Sequence, residues 1–149
     1  MERAFDTPFG RLTVVATDDA ITKLAWRDGD AEDTPLLREA EAQVLAYCAG
    51  ARETFDLPLQ VNGSDFQRAV CAAMSAIPFG ETRQYGDLAR DLGVPAQAIG
   101  QACGGNPIPI IIPCHRVLGA SGLGGFSGGT GIETKVQLLR LEGAASLLI

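Results

Sequence analysis

Apolar and polar residues alternate over residues 8–26, with a polar break at Asp18 and Asp19. Alternation with a period of two is the pattern of a β-strand that buries one face. The pattern therefore predicts a β-hairpin whose turn holds the two aspartates. Residues 55–57 are predicted to add a short strand, and residues 59–63 are typical of a linker.

Apolar residues at helical spacing predict a helix over residues 35–48, which Gly50 follows as a C-terminal stop. Further helices are predicted over residues 65–77, with Ser64 or Asp65 as the cap, and over residues 85–92, 95–103 and 133–141. Two of these are short and joined by a glycine-containing turn. That spacing is typical of a helix-turn-helix, although ordinary helical packing produces it as well.

Two segments of the second half lack helical spacing. Residues 108–112 are a continuous apolar run ending at Pro113, which predicts a buried strand or extended segment leading into a turn at Cys114 and His115. The glycine-rich residues 119–131 predict a loop. This loop lacks the Lys-Ser/Thr pair of a phosphate-binding loop.

The 149 residues suit one compact domain or two small lobes that share a core. We place the boundary near Gly63, giving a mixed α/β lobe over residues 1–63 and a mostly helical lobe over residues 64–149. No stretch approaches the roughly 18 apolar residues of a membrane span, and the first residues lack a signal-peptide core. We therefore expect a cytoplasmic protein without a membrane partner.

Charge is distributed unevenly along the chain. The formal net charge is −6, and residues 1–63 hold 12 acidic and 6 basic side chains, whereas residues 64–149 hold 6 of each. All of the excess negative charge therefore lies in the first half. The neutral second half can still meet DNA through helix N-termini and backbone amides, with modest and salt-sensitive affinity.

Cysteine and histidine carry the candidate chemistry. The four cysteines have no Cys-x-x-Cys spacing and are expected to be free thiols, and one histidine without clustered ligands predicts no metal site. Cys114 beside His115 suggests an activated thiolate, whereas a buried structural cysteine beside a surface histidine is the plainer reading. Adjacent side chains of an extended segment point apart, so we expect a bridging water, with Glu142 as a candidate to orient the histidine.

The run NPIPIIIPCHRV over residues 106–117 closely resembles the acceptor motif of the O6-alkylguanine-DNA alkyltransferases, or methylated-DNA–protein-cysteine methyltransferases. The similarity extends to short matches at residues 66–67, 77–80, 85–89, 124–129 and 135–143. It covers nearly all of residues 64–149. The TPFG of residues 7–10 and the hairpin after it are similar to the family's N-terminal lobe.

The resemblance implies an α/β (α+β) fold. A small ribonuclease-H-like lobe of sheet and helix would precede a mostly helical, winged-helix-like DNA-binding lobe with a helix-turn-helix. It also implies irreversible transfer of an alkyl group, above all methyl, from O6 of a flipped guanine, with O4-alkylthymine as a further candidate substrate. The partner would be damaged double-stranded DNA, the protein a monomer that acts once, and no cofactor would be needed.

Roles for single residues also follow from the resemblance. Cys114 would accept the alkyl group. His115, Glu142 and a water would take up the proton of the Cys114 thiol, and Asn106 would brace the active-site turn. Tyr85 would crowd the target phosphate or protonate the departing guanine. The substrate pocket would include Cys103, the backbone carbonyls of Cys114 and Val117, the aromatic wall of Phe126, and Ser127, which closes it. Contacts to DNA are assigned to Tyr85, Ala96, Gln97, Ala98, Gly100 and Arg116, and the last of these is also expected to support the turn.

Several positions depart from the family pattern. Gln97 replaces the arginine that enters the base stack, which predicts weaker DNA binding. Cys71 replaces a tryptophan and is expected in the core, while Phe126 replaces a tyrosine and lacks its hydroxyl. Cys103 is expected to pack or to tune the pocket size, and the longer loop over residues 130–134 bears on which alkyl groups fit.

Three other functions remain open. An alkyltransferase-like protein would bind the lesion without repairing it, but such relatives have lost the acceptor cysteine that Cys114 provides. A Cys–His hydrolase or thiol transferase would turn over small acyl or thioester substrates, and the chain has no evident oxyanion-hole motif. A DNA-binding regulator would have no use for the Cys114–His115 pair.

Overall fold

The computed structural model describes residues 1–126, 128–129 and 131–144. An antiparallel sheet in the order β1-β2-β3 opens the fold, with β1 at Glu2–Thr7, β2 at Gly10–Thr17 and β3 at Ala20–Ala25. The predicted hairpin is confirmed, and Asp18 takes the positive φ of 56° that its turn requires. Sequence reasoning missed β1, which has too few alternating apolar residues to stand out.

Helix α1, at Pro35–Cys48, packs against this sheet, and its predicted bounds are confirmed. The predicted strand over residues 55–57 is wrong. Gln43 of α1 accepts a hydrogen bond from the backbone N–H of Asp56 (2.9 Å) and donates one to its carbonyl (3.1 Å), so a side chain occupies the groups that a strand partner needs. The chain instead pairs with β3 at a single bridge, between Ile21 and Leu59.

Four helices follow in the second half: α2 at Asp65–Ser75, α3 at Tyr85–Leu92, α4 at Ala96–Gly104 and α5 at Ile132–Glu142. Ser64 caps α2 by accepting from the N–H of Gln67, and Gly93 ends α3 with a φ of 67°. Helices α3 and α4 pack together, as predicted for a helix-turn-helix. Two-residue strands β4 (Arg83–Gln84) and β5 (Val117–Leu118) pair in parallel, and they are too short to show a period.

The apolar run over residues 108–112 is buried, as predicted, but it forms a tight turn and neither a strand nor an extended segment. Asn106 braces this turn, because its side chain accepts from the N–H of Ile108 (3.0 Å) and donates to the carbonyl of Ile112 (2.8 Å). Ile110 is held at a positive φ of 71°, which a β-branched residue rarely adopts. The run leads into a 3₁₀ turn at Cys114–Arg116.

One apolar core joins the two halves of the chain. Leu12 and Val14 of the sheet, Leu37 of α1, Met74 of α2 and Leu138 of α5 belong to the same buried cluster. The backbone N–H of Leu24 also donates to the carbonyl of Pro107 (2.9 Å), which fastens β3 to the second half. Across the described ranges, no helix is long and apolar enough to cross a membrane.

Leu37 is expected to be a main support of this core, because its side chain is fully buried between α1 and the sheet. Leu37→Ala should lower the free energy of unfolding by about 2–5 kcal/mol. Leu36→Ala makes the same truncation at a half-buried site and should cost clearly less. Urea denaturation measures both, and equal losses would contradict the burial assigned to Leu37.

Candidate active site

Cys114 lies at the start of the 3₁₀ turn and borders a cavity of about 480 Å³. The residues that line the cavity are Tyr85, Gly100, Cys103, Gly104, Cys114, Gly125 and Phe126. They come from α3, α4, the turn and the glycine-rich loop, so only the folded chain forms the cavity. Its volume suits a small organic ligand.

A buried carboxylate, that of Glu142 at the end of α5, organises the residues behind Cys114. Its Oε2 lies 2.7 Å from Nε2 of His115 and accepts from the Tyr47 hydroxyl at 2.5 Å. Arg116 donates from Nε to Oε1 (2.8 Å) and from Nη2 to Oε2 (3.0 Å). Burial by itself raises the pKa of Glu142, but the bonds from His115, Arg116 and Tyr47 outweigh it and lower the pKa to about 2.

The ionised carboxylate fixes the tautomer of His115. Because a carboxylate only accepts hydrogen bonds, Nε2 of His115 carries the proton and Nδ1 is left with a free lone pair. Nδ1 is buried and has no hydrogen-bond partner within the described part of the chain. Burial lowers the pKa of His115, although Glu142 acts in the opposite direction, so the ring is neutral near pH 7 and can take up a proton at Nδ1.

The structure corrects the protonation state expected for Cys114. Burial raises the pKa of this thiol, and the hydrogen bond from Asn106 and the charge of Lys135 only partly oppose the shift. At rest the group is therefore a thiol and not an activated thiolate. Deprotonation must be coupled to a proton acceptor during the reaction, and the free Nδ1 of His115 is such a group.

Tyr85 lines the same cavity, and Lys135 lies beside its ring. Burial raises the pKa of Tyr85, so its hydroxyl stays protonated near neutral pH. Gly124 packs so closely on the Tyr85 ring that an added Cβ would lie 2.8 Å from it. Lys135 is buried, donates from Nζ to the carbonyls of Val117 (2.7 Å) and Gly125 (3.1 Å), and lies 5.7 Å from the Tyr85 ring centroid.

Sequence reasoning gave no function to Lys135, Tyr47 or Trp26. A signal for Lys135 was present, because it shares the buried stripe of α5 with Leu138 and Glu142 at spacings of three and seven. Nothing local distinguishes Tyr47 or Trp26 from ordinary core aromatics. The Trp26 ring stands edge-on to Phe126, with centroids 5.9 Å apart, and so supports the aromatic wall of the cavity.

Cys103 and Cys71 are both buried. Cys103 lines the cavity and directs its thiol to the sulfur of Met74 at 3.5 Å, which is the packing role expected of it. Burial, together with the nearby Cys114, raises the pKa of Cys103 to about 12. Cys71 is buried in the core, as expected. Ser127 lies outside the described residues.

The burial of Arg116 contradicts the predicted contact of this residue with DNA. The side chain is buried, and besides Glu142 it donates from Nη1 to the carbonyl of Ile77, so its guanidinium is committed to the interior. On α4, by contrast, Ala96 and Gln97 are exposed and Ala98 and Gly100 are partly exposed. This face of α4 borders the cavity through Gly100.

The sequence matches two family models that together span most of the chain. Residues 1–61 match "6-O-methylguanine DNA methyltransferase, ribonuclease-like domain", and residues 65–144 match "6-O-methylguanine DNA methyltransferase, DNA binding domain". The chain belongs to the 6-O-methylguanine DNA methyltransferase family.

Relatives in this family are similar over nearly their whole length. The methylated-DNA–protein-cysteine methyltransferase of Mycobacterium tuberculosis H37Rv is 43% identical over 94% of this chain and 90% of its own. The constitutive enzyme of Bacillus subtilis is 40% identical over 92% of both chains. The crystal structure of M. tuberculosis OGT in complex with DNA superimposes with a TM-score of 0.86 at 43% identity, covering 95% of this chain and 92% of that one.

The buried Glu142 carboxylate predicts a stability that depends on pH. Because its pKa is lowered from 4.5 to about 2, it contributes stability that is present above pH 4.5 and is lost as the pH falls towards 2. Glu142→Gln should lower the free energy of unfolding at pH 7 by about 3–5 kcal/mol, since it leaves Arg116 without its counter-charge. It should also flatten the fall in melting temperature between pH 4.5 and pH 2.

Glu133→Gln is the matched control, because it makes the same substitution at an exposed site on the same helix. Thermal melts followed by circular dichroism across this pH range compare the two variants. A Glu142→Gln protein that keeps the acid sensitivity of the Glu133→Gln control would contradict the assignment.

Proposed function

We propose that this protein repairs DNA by moving the methyl group of O6-methylguanine onto the sulfur of Cys114 in a single, irreversible turnover. One observation carries the proposal. A buried thiol opens on a cavity large enough to admit a nucleobase, beside a neutral histidine whose Nδ1 is free and whose Nε2 is held by an ionised carboxylate. Family membership and relatives named for this reaction support the same chemistry.

The reaction begins with the damaged base flipped out of the duplex into the cavity, because an attacking thiolate cannot reach the alkyl carbon within the stacked helix. The proton of Cys114 passes through a bridging water to Nδ1 of His115, and Glu142 stabilises the imidazolium that forms. Since Glu142 accepts several hydrogen bonds and has a pKa of about 2, it acts as a fixed counter-charge and not as the final base.

The thiolate then attacks the methyl carbon. An S–C bond forms, the C–O6 bond breaks, and its electron pair stays with the guanine. Tyr85 donates its hydroxyl proton to the departing guanine and is left as a phenolate. The proton that His115 took from Cys114 then returns Tyr85 to its neutral form, so both side chains end in their starting states. The product is a thioether, which offers no bond for hydrolysis, so each protein molecule acts once.

Recognition of the base is proposed to use the backbone carbonyls of Cys114 and Val117. The Val117 carbonyl accepts a hydrogen bond from Nζ of Lys135, and a carbonyl oxygen has two lone pairs, so we assign the second one to a base N–H. In this arrangement Lys135 positions the carbonyl, and Phe126, supported by Trp26, forms the aromatic wall.

We propose that DNA meets the exposed face of α4, with the protein acting as a monomer on double-stranded DNA. The similar M. tuberculosis structure contains DNA, which supports DNA as the partner. Gln97 is exposed on this face. In the proposed complex it fills the space that the flipped guanine leaves in the base stack, without adding positive charge. A role limited to lesion binding is not favoured, because both the thiol and the histidine–carboxylate pair are in place.

Methyl transfer is tested by incubating the protein with a duplex that carries one O6-methylguanine. Intact and peptide mass spectrometry should show one added methyl group per protein, on the Cys114 peptide, and none in Cys114→Ser. Binding without transfer would replace the proposal with lesion recognition. The absence of both binding and transfer would refute it.

Gln97 is expected to limit DNA affinity. Gln97→Arg should lower the dissociation constant for duplex DNA and steepen its dependence on salt by about one released counterion, a slope change of roughly 0.9. Gln60→Arg adds the same charge at an exposed position in the first half, and fluorescence anisotropy titrations at several salt concentrations compare the two. Equal effects would show that net charge matters and the position on α4 does not.

A further inference from the structure

Tyr47 lies on α1, in the first half of the chain, yet it reaches the carboxylate that serves the acceptor cysteine. Its side chain is 1% exposed, and its hydroxyl donates to Oε2 of Glu142 at 2.5 Å across 95 positions of sequence. The ring is held between Phe55 and Phe79, with centroids 5.4 and 6.3 Å away. The hydroxyl therefore has one defined position, against the oxygen that also faces His115.

We propose that Tyr47 is a positioning residue for proton transfer: its hydroxyl shares Oε2 of Glu142 with His115 and so sets how tightly the histidine holds its proton. The inference rests on the proposed function, because it assigns Tyr47 to that same site. It gives the N-terminal half a part in the chemistry beyond packing.

Hydrogen-bond donors crowd one oxygen atom of Glu142. Oε2 accepts hydrogen bonds from Tyr47, His115 and Nη2 of Arg116, at 2.5, 2.7 and 3.0 Å. Three donors are more than its two lone pairs can accept equally well. Donors that share an acceptor weaken one another's bonds. Without the Tyr47 hydroxyl, more of the negative charge on Oε2 faces His115, and the bond from Nε2 should strengthen.

The groups around the His115–Glu142 pair determine in which direction its pKa changes when the Tyr47 hydroxyl is removed. The titratable and charged groups that face the His115–Glu142 pair are Tyr47 from α1, Arg116 from the 3₁₀ turn and Lys135 from α5. Arg116 and Lys135 are unchanged when the hydroxyl is removed. The pair then loses a donor that favours its charged carboxylate, so it takes up a proton at a higher pH.

The first test is the pH dependence of single-turnover methyl transfer in Tyr47→Phe. The rate falls on the acid side as the His115–Glu142 pair takes up a proton, because Nδ1 can then no longer accept one. We expect Tyr47→Phe to move this acid limb to higher pH by about 0.5–1 unit.

Thr13→Val is the matched control, since it removes another buried hydroxyl of the first half, which donates to the carbonyl of Arg27 at 2.8 Å. Its acid limb should coincide with that of the unmodified protein. A Tyr47→Phe protein with a lower rate but an unmoved limb would overturn the proposal, because packing alone accounts for that result.

The second test reads the hydrogen bond directly and needs no activity. His115 is the only histidine in the sequence, so its Nε2 proton gives one imidazole resonance in the tag-free protein. This resonance should move downfield in Tyr47→Phe and stay in place in Thr13→Val. An unmoved resonance in a folded Tyr47→Phe protein would overturn the proposal.

The two tests separate this inference from the function on which it rests. If the unmodified protein transfers no methyl group, the proposed function fails, while the imidazole resonance still shows whether Tyr47 tunes the bond between His115 and Glu142. If transfer occurs but neither the acid limb nor the resonance responds to Tyr47→Phe, the function stands and the role of Tyr47 is lost.

Discussion

The carboxylate of Glu142 is the group on which both the fold and the site depend. A buried charge is tolerated only when it is fully hydrogen-bonded, and Glu142 meets that requirement with three donor residues from two other elements. Through these bonds it ties α5 to α1 and to the 3₁₀ turn, and Arg116 extends the connection to the carbonyl of Ile77. Because the carboxylate must stay ionised to accept these bonds, it also sets the tautomer of His115.

The resting state of Cys114 follows from the same burial. A cysteine that can react only once is better preserved as a thiol, since the thiolate is the form that reacts with electrophiles. Burial keeps Cys114 protonated, and the free Nδ1 of His115 offers a place for its proton when a substrate is bound. In the proposed mechanism, Cys114 therefore becomes reactive only when a substrate occupies the cavity.

A strained backbone places Cys114 at the cavity. The turn over residues 108–112 holds Ile110 at a positive φ, a conformation that costs on the order of 1–3 kcal/mol and persists only where its surroundings enforce it. Asn106 does so with bonds to both ends of the turn. The family motif is therefore also a structural unit: its asparagine and apolar residues build the turn from which its cysteine and histidine project.

The hairpin, α1, the four later helices to within two residues, the family and the Cys114–His115 pair can all be predicted from the sequence, because periodicity, caps and a contiguous motif are local properties. Contacts between distant segments are needed to establish that Arg116 lies inside, that residues 55–57 form no strand and that the pKa of Cys114 is raised. The tertiary structure also revealed Tyr47 beside Glu142. Burial, pKa and side-chain partners arise between segments far apart in the chain, and no local pattern encodes the distance between Tyr47 and a carboxylate 95 positions away.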